Sequence, residues 1–135
     1  MKVTTNFRYA IRMLVALSEH QDLVNTTQLA SALDVSPLYL RQIALELKKG
    51  RLIKSVKGAR GGYQLTKDPA NITIAQVAKS MGSSFIPHCK QNYKACRHYK
   101  TCKTKNFWLG LKNQIDGFLN SVTIKDIISD NMQGF

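Results

Sequence analysis

Acid is what this chain has least of. Against 20 lysines and arginines stand only 8 aspartates and glutamates, so 135 residues carry a formal net charge of +12. A surplus of that size points to a polyanionic partner, nucleic acid first and an anionic membrane surface second. Cysteine is equally sparse: there are three, all between residues 89 and 102, so no disulfide framework holds the fold. No uncharged apolar run approaches the ~18 residues of a membrane span, and the opening MKVTTNFRYAIRMLVALSEH has charges and no signal-like cleavage site. A soluble, cytoplasmic chain with no membrane association is expected. The hydrophobic fraction, 44%, suffices for one modest core.

The charge is not spread evenly. Residues 1–40 balance (Lys2, Arg8 and Arg12 against Glu19, Asp22 and Asp34), and residues 106–135 are close to balance. The excess falls in two blocks. Residues 41–60 hold Arg41, Lys48, Lys49, Arg51, Lys54, Lys57 and Arg60 against Glu46 alone, and Lys90, Lys94, Arg97, Lys100, Lys103 and Lys105 are unopposed. Each block needs its own explanation.

Apolar spacing supplies the first. NFRYAIRMLVALSEH repeats at helical intervals (Phe7, Ala10, Ile11, Leu14, Val15, Leu17), with Asn6 as a reasonable N-cap. After a short polar link, QDLVN, Thr26 or Thr27 caps a short helix facing Leu29, Ala30 and Leu33 inward, and Asp34 and Val35 make a tight exit. The next helix has Ser36 as N-cap, Pro37 at its first position, a stripe of Leu40, Ile43, Ala44 and Leu47, and Gly50 as its stop. Two short helices with a brief turn predict a helix-turn-helix. LIKSVKG, ARGG and YQLT then read as a β-hairpin with a basic, glycine-rich tip. Asp68, Pro69 and Ala70 break the chain before a helix with a Thr73/Gln76 capping box. Phe107, Trp108, Leu111, Ile115, Phe118 and Leu119 lie at helical intervals, and a last short helix starts at Thr123.

The fold class is therefore mainly α with a small β-hairpin wing: a winged helix-turn-helix plus a long C-terminal dimerisation helix. Three segments are expected, a DNA-binding domain over 1–82, a cysteine-containing cofactor or sensor loop over 83–105, and the dimerisation and C-terminal helices over 106–135. The long helix carries more apolar surface than a solvated element tolerates, and a second copy would cover it; the plain alternative is that it packs back on its own domain. A two-fold homodimer reads two half-sites about one helical turn apart, so the partner is double-stranded DNA with a palindromic operator.

In such a domain the second helix of the pair enters the major groove. Ser36, Tyr39, Arg41 and Gln42 are the candidates to reach base edges, Arg41 for guanine and Gln42 for adenine. Lys48, Lys49 and Arg51, at the far end, touch phosphate or stay solvated. At the hairpin tip Lys57, Arg60 and Gly61 suit a wing that enters the minor groove or grips the backbone. The plain alternative is a solvated basic face.

The second basic block surrounds Cys89, Cys96 and Cys102, spaced C-x6-C-x5-C. Zinc knuckles favour C-x2-4-C pairs, whereas wider gaps suit a loop that wraps a larger object such as an iron–sulfur cluster, whose thiolate charge the cations would offset. A metal-free thiol-oxidation switch and a zinc site remain alternatives. His88 and His98 are read as solvated loop residues rather than ligands. An enzyme with a reactive cysteine lacks support, because no base and orienter accompany any thiol; a basic RNA-associated module is the remaining rival.

The stretch YLRQIALELKKGRLIKSVKGARGGYQLTKDPANITIAQV resembles the Rrf-two family of bacterial transcriptional regulators, the IscR- and NsrR-like proteins. The likeness runs from MKVTTNFRYAIR through the cysteine trio to GFLNSVTIKDII. It implies a dimeric winged-helix regulator, often a repressor, and it implies that Cys89, Cys96 and Cys102 hold an iron–sulfur cluster, 2Fe-2S or 4Fe-4S. Five positions depart from the family pattern. Arg41 stands where Glu is frequent, and Lys57 and Arg60 stand where Arg and Gly are common. Lys105 replaces a ligating His, and Arg8 replaces a ligating acid, so the fourth ligand and the operator sequence do not carry over.

Overall fold

The computed structural model describes residues 3–83 and 96–132. In chain order it runs α1 (Thr5–Ser18), α2 (Thr26–Leu33), α3 (Pro37–Lys49), β1 (Ile53–Val56), β2 (Gly62–Leu65), a 3-10 turn (Pro69–Asn71), α4 (Ile74–Ser80), α5 (Lys105–Ser121) and α6 (Ile124–Ile128). The winged helix-turn-helix is present as its residues predict. The strands pair antiparallel in one register, Ile53 opposite Leu65 through Val56 opposite Gly62.

Local chemistry sets the helix ends. Ser36 Oγ accepts from the Tyr39 amide at 3.1 Å, so α3 starts on its predicted cap with Pro37 behind it. Thr73 and Gln76 form a reciprocal capping box at α4. Two caps differ from expectation. Thr4, not Asn6, caps α1, accepting from the Phe7 amide; Asn6 lies inside the helix and uses Oδ1 to accept from the Tyr39 hydroxyl at 2.7 Å. Asn25, not Thr26 or Thr27, caps α2, its Oδ1 accepting from the Thr27 amide at 2.7 Å. These are shifts of one or two residues among side chains that are all competent to cap.

Gly50 also works differently from a glycine stop. It keeps right-handed backbone, and the left-handed position falls to Arg51 at φ 59°. The Leu52 amide donates to Leu47 O at 3.0 Å and the Arg51 amide to Lys48 O at 2.9 Å, a Schellman closure with a non-glycine at its left-handed site. What demands glycine at position 50 is space. A Cβ there would lie 2.5 Å from Ser80 Oγ and 2.8 Å from Ser80 Cβ, so the ends of α3 and α4 meet through it.

The core draws on α1 to α4, the wing and α6. Met13, Leu14 and Leu17 of α1, Leu29 of α2, and Leu40, Ile43 and Leu47 of α3 are all but fully buried, as are Leu52, Ile53, Ile72, Val77 and Ile124. No polar side chain is buried among the described residues. Two backbone stitches close the unit. Val24, inside the link read as merely polar, pairs with Tyr63 of β2 through amide-to-carbonyl bonds of 2.8 and 2.9 Å, which makes it a third, one-residue edge of the wing. Gly62 fits that approach at φ 153°, since a Cβ would sit 2.2 Å from Val24 O. After α5 the chain returns: the Ile74 amide donates to Val122 O and the Ile124 amide to Ile72 O, each at 2.9 Å. Helix α6 is thereby stitched to the core that α1 to α4 and the wing build.

Candidate nucleic-acid interface and cysteine segment

Because Leu40, Ile43, Ala44 and Leu47 point into the core, α3 must present the opposite line of Leu38, Arg41, Gln42 and Leu45 to solvent. Arg41 and Gln42 are exposed and have no hydrogen-bond or ion-pair partner among the described residues. Lys57 and Arg60 stand exposed at the wing tip in the same condition. A cleft of about 320 Å³ lies between helix and wing, lined by Arg41 and Lys57 and by Asn25 and Thr26 at the start of α2. Two cations distant in sequence thus line one opening.

The other three predicted contact residues are already engaged. Ser36 is exposed but serves as the cap. Tyr39 is half-buried in the seam between α1 and α3: its ring meets Tyr9 edge-on at 5.7 Å, its hydroxyl is held by Asn6, and burial, then the neighbouring Tyr9, raises its pKa. Gly61 is buried; its amide donates to Gly58 O at 3.0 Å, and an added Cβ would fall 2.0 Å from Val56 O. Its glycine is required by the turn that builds the wing. At the far end of α3, Lys48 Nζ donates to Ser55 Oγ at 2.8 Å, tying helix to wing, and Lys49 pairs with Glu46 at 2.8 Å. That pairing offsets the single acid of α3, so the helix shows the groove a cationic face. Sequence reasoning missed Asn25 and Thr26 as cleft residues, since their place depends on Val24 docking against β2.

Cys89 and His88 lie outside the described residues. Cys96 and Cys102 are both free thiols, partly exposed, in the turns that lead into α5. The segment is held by short-range bonds, Tyr99 amide to Cys96 O and Thr101 amide to His98 O, both at 3.1 Å. His98 is exposed. Cys102 Sγ lies 3.3 Å from Thr104 Oγ1, and hydrogen bonding from the Thr104 hydroxyl and amide, helped by Lys105, lowers its pKa. Lys105, at the position of a family histidine, places its Nζ 4.6 Å from the Tyr99 ring centroid, a cation–π contact. Arg8 is exposed on α1 and offers no ligand atom. Among the described residues no three His, Cys, Asp or Glu side chains converge as a metal site. Two free thiols, one of them acidified, are donors of the kind that thiolate-ligated groups use.

Helix α5 has no buried residue. Phe107 is 63% exposed and Phe118 42%, with Trp108 edge-on to Phe107 at 4.9 Å. Among the described residues no helix is long and apolar enough to cross a membrane.

Comparison with known proteins agrees with this architecture. The pattern of the Rrf2 family, described as "Iron-dependent Transcriptional regulator", matches residues 3–130. The chain is 32% identical over 133 residues to the HTH-type transcriptional regulator IscR of Vibrio parahaemolyticus, spanning 97% of this chain and 79% of the relative. The solved structure of T. potens IscR superposes with a TM-score of 0.74 at 27% identity, covering 99% of this chain and 90% of that one. The oxidized form of Staphylococcus aureus CymR superposes with a TM-score of 0.71 at 25% identity, covering 95% and 96%. This chain belongs to the Rrf2 family of winged-helix transcriptional regulators, which are not enzymes.

Proposed function

We propose that the protein is a cytoplasmic, homodimeric DNA-binding repressor that sets its operator affinity through the cysteine segment. The observation that carries the DNA reading is the cleft between α3 and the wing, where unpartnered Arg41 and Lys57 face one opening beside exposed Gln42 and Arg60. In this reading Arg41 and Gln42 contact base edges, while Lys57 and Arg60 neutralise phosphate or enter the minor groove. Ser36, Tyr39 and Gly61 act through the fold: Ser36 sets where α3 begins, Tyr39 fixes its roll against α1, and Gly61 shapes the wing. The incompletely covered apolar face of α5, with Phe107 and Phe118 exposed, supplies the dimer contact and so sets the distance between two recognition helices on a palindromic duplex. Selection from a random duplex pool should enrich a palindrome, with log affinity falling against log salt by about −0.9 per phosphate contact. Equal binding to RNA and duplex DNA, with nothing enriched, would overturn the reading.

The cysteine segment supports an iron–sulfur cluster as the sensor, held by Cys96 and Cys102 together with Cys89. Such a cluster, when bound, supplies a centre responsive to oxidants, nitric oxide and iron supply. Lys100, Lys103 and Lys105 around these thiols offset thiolate charge, and Thr104 keeps Cys102 poised to ionise. The segment joins directly to α5 at Lys105, so a rearrangement there reaches the helix that spaces the DNA-reading heads. A coupling of only ~1–3 kcal/mol suffices for regulation. Anaerobically purified protein should contain iron and sulfide and be coloured, and a triple Cys→Ala variant should be colourless.

The acidified, accessible Cys102 thiol favours a second reading, a metal-free thiol switch, which the oxidized form described for S. aureus CymR keeps in view. Colourless protein after anaerobic reconstitution, together with oxidant-sensitive DNA binding, would select it. Because the Cys102 pKa is lowered, alkylation in metal-free protein should begin at a lower pH than in Thr104→Val, whose thiol loses the side-chain hydrogen bond.

A further inference from the structure

The most protruding apolar side chain of the described residues is Leu38, 65% exposed in the first turn of α3. An exposed leucine is ordinarily unremarkable on a protein surface. This one has a particular address. It lies three and four residues before Arg41 and Gln42, so helical geometry puts the three side chains on one face, opposite the buried line of Leu40, Ile43, Ala44 and Leu47. Pro37 beside it is exposed as well, which makes the leading end of the helix apolar while its flank is cationic and hydrogen-bonding. A branched aliphatic side chain offers a base edge no hydrogen bond. The major groove presents it one apolar feature, the 5-methyl group of thymine.

We infer that Leu38 is a specificity-determining residue that contacts a thymine methyl in each operator half-site, next to the base read by Arg41 or Gln42. The inference rests on the DNA-binding reading above and names part of the sequence that reading leaves open. Leu38 is exposed in the free protein and would shed water only against a surface complementary to it. Cytosine lacks the methyl and presents a donor amine there, so the contact discriminates T·A from C·G without a hydrogen bond. Leu45, 53% exposed on the same face, is a built-in control. At ~1.5 Å rise per residue it sits about 10 Å further along the helix, beside Lys48 and Lys49 rather than at the entering tip.

The test uses the full chain and a duplex enriched from a random pool. Each thymine of that duplex is replaced in turn by uracil, which removes only the methyl group, and binding is measured for the wild type, Leu38→Ala and Leu45→Ala. Both substitutions are at exposed positions, and circular dichroism verifies folding. One uracil position per half-site should weaken wild-type binding by about fourfold, the weight of one buried methyl. Leu38→Ala should bind the thymine and uracil duplexes alike, and Leu45→Ala should keep the penalty. A wild type indifferent to every uracil, a penalty that persists in Leu38→Ala, or one that vanishes in Leu45→Ala too would each overturn the assignment while leaving DNA binding intact. Failure to enrich any duplex would remove the DNA reading and this assignment with it.

Discussion

Helices α3 and α5 look alike as strings of residues and behave differently in the fold. Both repeat apolar side chains at helical spacing. In α3 four of those residues are buried, one end is capped by Ser36 and the other closes in a Schellman turn against α4. In α5, four residues longer, none is buried, and Thr104 at its start makes no side-chain cap bond. The difference shows that amphipathic periodicity specifies a face in need of cover without specifying what covers it. For α3 the cover is the chain's own α1, α2 and wing. For α5 it is supplied only in part by α4 and the core edge near Leu119, which is why the dimer proposal rests there.

The contrast breaks most visibly if the two stripes are damaged in parallel. Leu47→Ala in α3 should cost about 2–5 kcal/mol in urea denaturation, because it opens a cavity in a filled core. Phe107→Asp with Phe118→Asp in α5 should convert a dimer to monomers by equilibrium sedimentation, weakening association by roughly 100-fold (about 2.7 kcal/mol). A wild type already monomeric at tens of micromolar, or a doubly charged variant still dimeric, would show that α5 is not the contact.

Smaller changes sharpen the comparison at the closed end of α3. Gly50→Ala forces a methyl group against Ser80 and should destabilise by about 1–3 kcal/mol, although Gly50 has ordinary helical backbone. Arg51→Gly should have the opposite sign and the smallest size, a gain of about 1 kcal/mol in the same melts, since Arg51 is the residue in the left-handed region. If Gly50→Ala were neutral and Arg51→Gly destabilising, the division of labour between these neighbours would be wrong.

Much of this molecule was legible from spacing and capping chemistry. The Ser36–Pro37 start of α3, the Thr73/Gln76 box, the hairpin and the Thr123 start of α6 are local features, each set by a few adjacent side chains and their backbone. What was misread depended on distant segments. Asn6 has the chemistry of a cap but is committed to Tyr39, 33 residues away. Val24 lay in an apparently polar link and pairs with Tyr63. Tyr39 and Gly61, expected as contact residues, have a further part in the seam and the wing turn that spacing did not show, and the exposed Leu38 drew no notice because apolar residues in a helix are read as core.

The sequence by itself determined the element order, the starts of α3, α4 and α6, the two cationic blocks and the confinement of thiols to one segment, because all of these follow from residue type and short-range spacing. Tertiary structure alone decided that Arg41 and Lys57 share a cleft, that Gly50 is needed for Ser80, and that α6 returns to the common core while α5 is covered only in part. Those outcomes are set by which surfaces meet when the whole chain packs, and periodicity within one helix holds no record of its neighbours.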